Sequence, residues 1–285
     1  MTTVRRDQIF FFFTKYFRNQ SFHSKMSDDP STEAARTNAV RNMGEENGLF
    51  RSSMDVIKSS HTVGQSIRAA FVLSGVFSDK MMYAELLAQF ATVTIEFETL
   101  LTESSNAGGS NNFTGLRAMY AFAPQYSSDL TNLLGPSHAI ALPKLIRDPA
   151  KAYVELLRSD SQGPHAKESL LAAAIILWGP LVIGGGAVMG PRVKKSYGAD
   201  CVSVFNDVTG PGRKKRQRSF IDFVDTAAAS LDSEKVVELC AKYMDRNNQI
   251  MGAVQREPKW YRYAKYTVVA AVVAGVAVAV ARIRK

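Results

Sequence analysis

The stretch LLAAAIILWGPLVIGGGAVMGP, Leu170 to Pro191, limits what this chain can fold into more than any other segment. Its 22 residues carry no charge and include five glycines, Gly179, Gly184, Gly185, Gly186 and Gly190. Each glycine costs a helix interior about 1 kcal/mol against alanine. A helix that keeps several of them therefore uses them, either to bend or to let another group approach its backbone. Three arrangements answer that description: a membrane span, a phosphate-binding loop, and a helix lying against a flat ligand. The phosphate loop is disfavoured, because GxxxxGK[ST] is absent and no strand precedes the glycines. The stretch is long enough to span a bilayer, but Pro180, Pro191 and the glycines suit a kinked core helix better.

Helical periodicity dominates the rest of the chain. Val56, Ile57, Val63, Ile67 and Phe71 recur at helical spacing over 55–71. Ser78-Asp79 caps a long helix whose apolar positions are Met81, Met82, Leu86, Leu87, Phe90, Val93, Ile95, Phe97 and Leu101. SSNAGGSNN, 104–112, reads as a loop. A helix over 113–126 should end early at Pro124, and a further helix is expected over 142–158, with Pro143 and Pro149 near its start. After the glycine-rich helix a loop of about 25 residues holds VFNDVTGPGRKKRQR. Helices over 219–230 and 233–254 follow, the second opened by Ser233-Glu234 with Asp232 just before it. No alternating strand pattern persists, so the expected class is all-α, without internal repeats.

Composition bears mainly on the two ends. Of 285 residues 46% are hydrophobic and the net charge is +9. Much of the excess is local, at the N-terminus, in RKKRQR and in the last turns of the chain, which argues against a general nucleic-acid face. The two cysteines, Cys201 and Cys240, show no metal-binding spacing. The expected organisation is an N-terminal disordered extension over 1–48, a helical domain over 49–257 and a C-terminal transmembrane helix within 258–285. Residues 1–25 are basic, aromatic and nearly free of acids, as in a mitochondrial presequence; Met26 in turn opens a segment that looks like an ordinary N-terminus. Thr267 to Ala281 are uncharged and mostly Val and Ala, with Lys265 before them and Arg282, Arg284 and Lys285 after. Tyr263 and Tyr266 extend this stretch as an interfacial belt. The expectation is a membrane-anchored protein whose bulk faces the cytosol, at the endoplasmic reticulum or the outer mitochondrial membrane.

His61 taken alone reads as an ordinary surface or half-buried histidine. Its context says more. IKSSHTVGQ, then FVLSGVFSDKMMYAELLAQFATVTIEFETLL, HAIALPKLIRDPAKAYVELLRS, LAAAIILWGPLVIGGGAVMG, VSVFND and SLDSEKVVELCAKYMDRNNQIMGAV resemble, in order, segments of the heme oxygenase family. The resemblance covers about 51–254 and rests on His61-Thr62, Gly75, Ser78-Asp79, Phe97-Glu98 and the glycine cluster. It implies a heme oxygenase-like helical bundle and oxidative cleavage of heme to biliverdin, iron and carbon monoxide, with an NADPH-dependent reductase as partner. It also implies heme as both substrate and cofactor, with His61 as the axial ligand of its iron and Gly184, Gly185 and Gly186 beside its face. An imidazole suits heme iron, and a porphyrin needs a backbone without side chains against it.

Two departures accompany the resemblance. The family's distal helix carries an aspartate three residues before the paired glycines, where it orders a proton-donating water network. Here the positions are Gly179, Pro180, Leu181, Val182 and Ile183, and no catalytic acid can be assigned. Such a group is typically worth about 10²–10⁴ in rate. The propionate side offers Lys58 and Arg51 early, and Lys214, Lys215, Arg216 and Arg218 later; Asp222 and Asp225 stand where cations are expected. The diverged alternative is a non-catalytic heme-binding, heme-sensing or scaffolding membrane protein.

Overall fold

The computed structural model describes residues 48–106 and 112–255. The expected N-terminal extension and presequence, and the C-terminal transmembrane helix over 267–281, lie outside these residues. Among the described residues the chain is all-α, with no strand.

Two long helices form the frame. α1 spans Leu49–Ser74 and α2 spans Lys80–Asn106. Asp79 caps α2 as its sequence suggests, its Oδ1 accepting from the backbone N–H groups of Met81 at 3.1 Å and Met82 at 3.2 Å. Ala84, Ala88, Ala91, Val93, Phe97 and Leu101 are buried along α2. Its small residues admit neighbouring helices on several sides. Ile95, expected in the core, is instead 41% exposed.

The expected helix over 113–126 is two: α3, Asn112–Met119, and α4, Phe122–Leu134. Pro124 lies in the first turn of α4 rather than at the end of its predecessor, where its missing N–H has no intrahelical acceptor to lose. The carboxylate of Glu98, on α2, accepts from Phe122 N–H at 2.8 Å and Ala123 N–H at 3.1 Å, and so starts the new helix. The helix expected over 142–158 also divides, into α5, His138–Leu145, and α6, Asp148–Ser161. Pro149 begins α6, and Ile146 and Arg147 are extended between the two. Buried Gln89 closes that break: its amide donates to Leu145 O at 2.6 Å and its carbonyl accepts from Arg147 N–H at 2.9 Å.

α7, Ala166–Leu177, is the core helix. Every residue from Ser169 to Leu177 is buried, and Ser169 Oγ lies 2.7 Å from Tyr243 Oη. After the glycine-rich segment come α8, Gly186–Tyr197, and α9, Ser203–Thr209. α10, Arg213–Ala228, and α11, Ser233–Gly252, complete the bundle. α11 packs along α1 and α7 through Val236, Val237, Cys240, Tyr243, Met244 and Ile250. Asp232 caps it by accepting from Lys235 N–H at 3.0 Å.

The long basic loop expected before residue 219 is largely helical. α9 occupies part of it, and RKKRQR forms the first turns of α10. Gly212, at φ +82°, turns the chain into α10 in a conformation that glycine adopts without strain. Cations at a helix N-terminus oppose its dipole. Arg216 offsets this by bonding backward, its guanidinium donating to Pro211 O at 2.9 Å and Gly210 O at 3.2 Å.

Candidate functional site

The glycine-rich stretch is a single helical run interrupted by a wide turn. α7 passes through Trp178 and Gly179 into a π-helical segment, Pro180–Gly185, and then into α8. The run is long and apolar enough to cross a membrane, but most of its apolar part is buried inside the protein. A π-turn lodges one more residue than an α-turn and leaves carbonyls without their usual donors. The side-chain amide of Gln217, on α10, fills that gap, donating to Ile183 O at 2.5 Å and Val182 O at 3.2 Å. Arg213 reaches Ile183 O at 3.4 Å.

The glycines of this segment serve different ends. A Cβ on Gly186 would stand 2.6 Å from Leu181 O and 2.6 Å from Val208 Cγ2; one on Gly185 would stand 2.9 Å from Pro180 O. These two positions answer to the wide turn and to packing on α9. Gly190 also serves α9, with Phe205 Cβ 3.0 Å from its would-be Cβ. Gly184 alone in the cluster has nothing within 4 Å of that point, and it is half-buried. Open backbone is thus found at Gly184. Pro180 to Gly185 carry no ionisable side chain.

His61 lies on α1, and its side chain is outside the described residues. Ser60 Oγ donates to Asp245 Oδ1 at 2.7 Å, and a Cβ on Gly64 would meet Asn248 Oδ1 at 2.5 Å, so Ser60 and Gly64 face α11. Phe50, near the start of α1, packs on α10 with its ring 6.2 Å from that of Phe220. Phe220 also touches Gly179, whose would-be Cβ lies 3.8 Å from Phe220 Cε1. α10 therefore contacts both elements that the sequence singled out, α1 through Phe50 and the π-turn through Gln217.

The charged candidates are dispersed. Lys58, Lys214 and Arg218 are exposed on α1 and α10. Asp225 stands where a cation was expected, and it acts structurally. Its Oδ1 accepts from Phe50 N–H at 2.8 Å and so caps α1. Gly48 permits this, because any Cβ there would fall 2.5 Å from the Asp225 carboxylate. Among the described residues no group of His, Cys, Asp and Glu could hold a metal ion.

A cavity of about 230 Å³ is lined by Glu98, Thr102, Arg117, Tyr120, Pro124 and Trp178. It falls below the ~300–1,000 Å³ of usual ligand pockets. Trp178 is fully buried there, edge-on to Phe97 at 5.1 Å and to Phe122 at 5.7 Å. Burial pushes the Glu98 carboxyl up to about 7, against the opposing effect of the Ala123 and Phe122 N–H groups and the Trp178 indole. Sequence reasoning missed Gln217 and the cap roles of Glu98 and Asp225. Their partners lie 24 to 175 residues away, beyond any local signal.

No protein-family model and no curated protein matches this chain in sequence. Solved structures do match in fold. Heme oxygenase 2 from Chlamydomonas reinhardtii, determined without heme, superposes with a TM-score of 0.66 at 21% identity, over 75% of this chain and 100% of that one. Heme oxygenase-1 from the cyanobacterium Synechocystis, in complex with heme, gives 0.62 at 13% identity, over 79% and 100%. Heme oxygenase-2 from the same organism, in complex with heme and NO, gives 0.59 at 17%, over 73% and 85%. The chain has the heme oxygenase-like fold.

Proposed function

We propose that this chain is a membrane-anchored heme-binding protein in which His61 supplies the axial nitrogen and the backbone at Gly184 lies against the porphyrin. The fold supports a ligand between α1 and the π-turn, because α10 braces both. Bound heme would contribute its redox-active iron. The chain's own residues would orient it, and Lys58, Lys214 and Arg218 are the cations available to its carboxylates. The observation that carries the non-catalytic form of this reading is Pro180–Gly185. That segment offers a proline, apolar side chains and glycines where turnover wants a positioned acid, and its free carbonyls are taken by Gln217. A second reading, oxidative cleavage to biliverdin with an NADPH-dependent reductase, draws support from the fold.

Hemin titration with absorption spectroscopy tests the proposal. The full chain in detergent should develop a Soret band that His61→Ala abolishes or shifts. Addition of NADPH and a reductase should then leave the band in place without bile pigment. A Soret band indifferent to His61→Ala removes His61 as ligand, and pigment formation establishes the second reading.

A further inference from the structure

The last described residue, Gln255, is tied to the helical body. Gln255 N–H donates to Glu85 Oε1 at 3.0 Å, and the Glu85 side chain is 1% exposed. The same oxygen accepts from the Arg147 guanidinium, at 2.7 Å from Nε and 2.6 Å from the terminal nitrogen. A buried carboxylate therefore ties Gln255 to the junction of α5 and α6. Beyond Gln255 the sequence runs REPKWYRYAKY before the apolar stretch at Thr267. Trp260, Tyr261, Tyr263 and Tyr266 alternate with Lys259, Arg262 and Lys265. That composition suits the headgroup layer, where aromatic rings and basic side chains are favoured. Five residue steps separate Gln255 from Trp260, at most about 17 Å of extended chain.

On α5, whose junction with α6 the same link fixes, Ile140 is the most exposed large hydrophobic side chain of the described residues, at 70%. Pro143 and Lys144 are exposed on the same helix. The basic start of α10 lies elsewhere. It is joined through Arg216 O to Tyr120 Oη, beside Glu98, and Glu98 is 13 residues, about 20 Å, along α2 from Glu85.

We propose that α5, with Ile140 foremost, is the face of the protein that rests on an anionic lipid bilayer surface, and that the Glu85–Arg147–Gln255 link holds it there. The proposal rests on the reading of 267–281 as a membrane anchor. Because at most about 17 Å of chain separates Gln255 from Trp260, a membrane anchor beyond it would hold the α5–α6 junction close to the bilayer. The exposed Lys214, Lys215 and Arg218 of α10 lie away from this face, towards the other end of α2.

The test uses the full chain inserted into vesicles of phosphatidylcholine with phosphatidylserine. The native thiols, Cys201 and Cys240, are buried, so an environment-sensitive fluorophore can be placed at Ile140→Cys or Lys215→Cys. Flotation of the vesicles at alkaline pH reports the anchor separately. The expected result is co-flotation, a blue-shifted emission at position 140 with at least a twofold loss of intensity from lipids spin-labelled near the headgroup, and no change at position 215. Co-flotation with an aqueous label at 140 overturns the proposal and leaves the anchor standing, as does quenching at 215 instead of 140. Loss of co-flotation overturns both.

Discussion

From Leu170 through α7 and on to Pro191 the sequence carries no charge, yet the two halves of this stretch live in different surroundings. From Ser169 to Trp178 every residue is buried, among α2, α6 and α11. From Pro180 onward burial alternates: Val182, Gly186, Gly190 and Val193 are covered, Gly185 is exposed and Val188 is 57% exposed. Alanines in the first half let helices approach on all sides. Glycines in the second half allow a wide turn, close contact with α9, and one open stretch of backbone at Gly184. Hydrophobicity alone therefore marks two physical situations with one signal, and only the first is ordinary core.

Four substitutions break or sharpen that contrast. Trp178→Ala empties the joint between the halves and should cost about 3–5 kcal/mol in denaturant unfolding, because a fully buried indole leaves a large void. Gly186→Ala should cost about 1–3 kcal/mol by the same measurement, since its Cβ would overlap Leu181 O and Val208. A small effect there would show that the π-turn relaxes freely.

The next change is read against pH. Glu98 titrates from 4.5 in the unfolded chain to about 7 in the folded one, so the unfolded state loses its proton first as pH rises. Stability should therefore fall between pH 4.5 and 7, by roughly 1 kcal/mol per unit at most. Glu98→Gln should flatten that slope in thermal melts taken across the same range, while its amide oxygen can still cap α4. The smallest effect on stability is expected for Gly184→Ala, within about 1 kcal/mol and in the stabilising direction, because its Cβ enters open space and alanine favours the helix. The same substitution should weaken hemin binding in the absorption titration. An unchanged hemin affinity would detach Gly184 from the heme site.

Much of the helical plan is legible from period and caps. Asp79 and Asp232 announce the starts of α2 and α11, and both side chains accept the expected backbone N–H. The misreadings share one cause. By periodicity Pro124 and Pro149 sit in or beside single long helices, whereas each begins a helix after a break filled from α2, by Glu98 in one case and Gln89 in the other. The basic run reads as a loop because its helix is opened by Gly212 and held by backward bonds from Arg216, which no periodicity reports. At the candidate site the glycine cluster and the missing acid stand in the sequence, but the division of labour among the glycines does not.

By itself the sequence determined the helical class, the uncharged glycine-rich stretch at its centre, the apolar C-terminal stretch and the absence of an ionisable side chain across Pro180–Gly185. These are properties of composition and spacing, which folding cannot change. Only the tertiary structure decided that the extra residue near Pro180 becomes a π-turn, that Gln217 satisfies its carbonyls, and that Asp225 caps α1 instead of leaving room for a cation. Those outcomes depend on which distant groups arrive within 3.2 Å of a backbone atom, and packing alone brings them there.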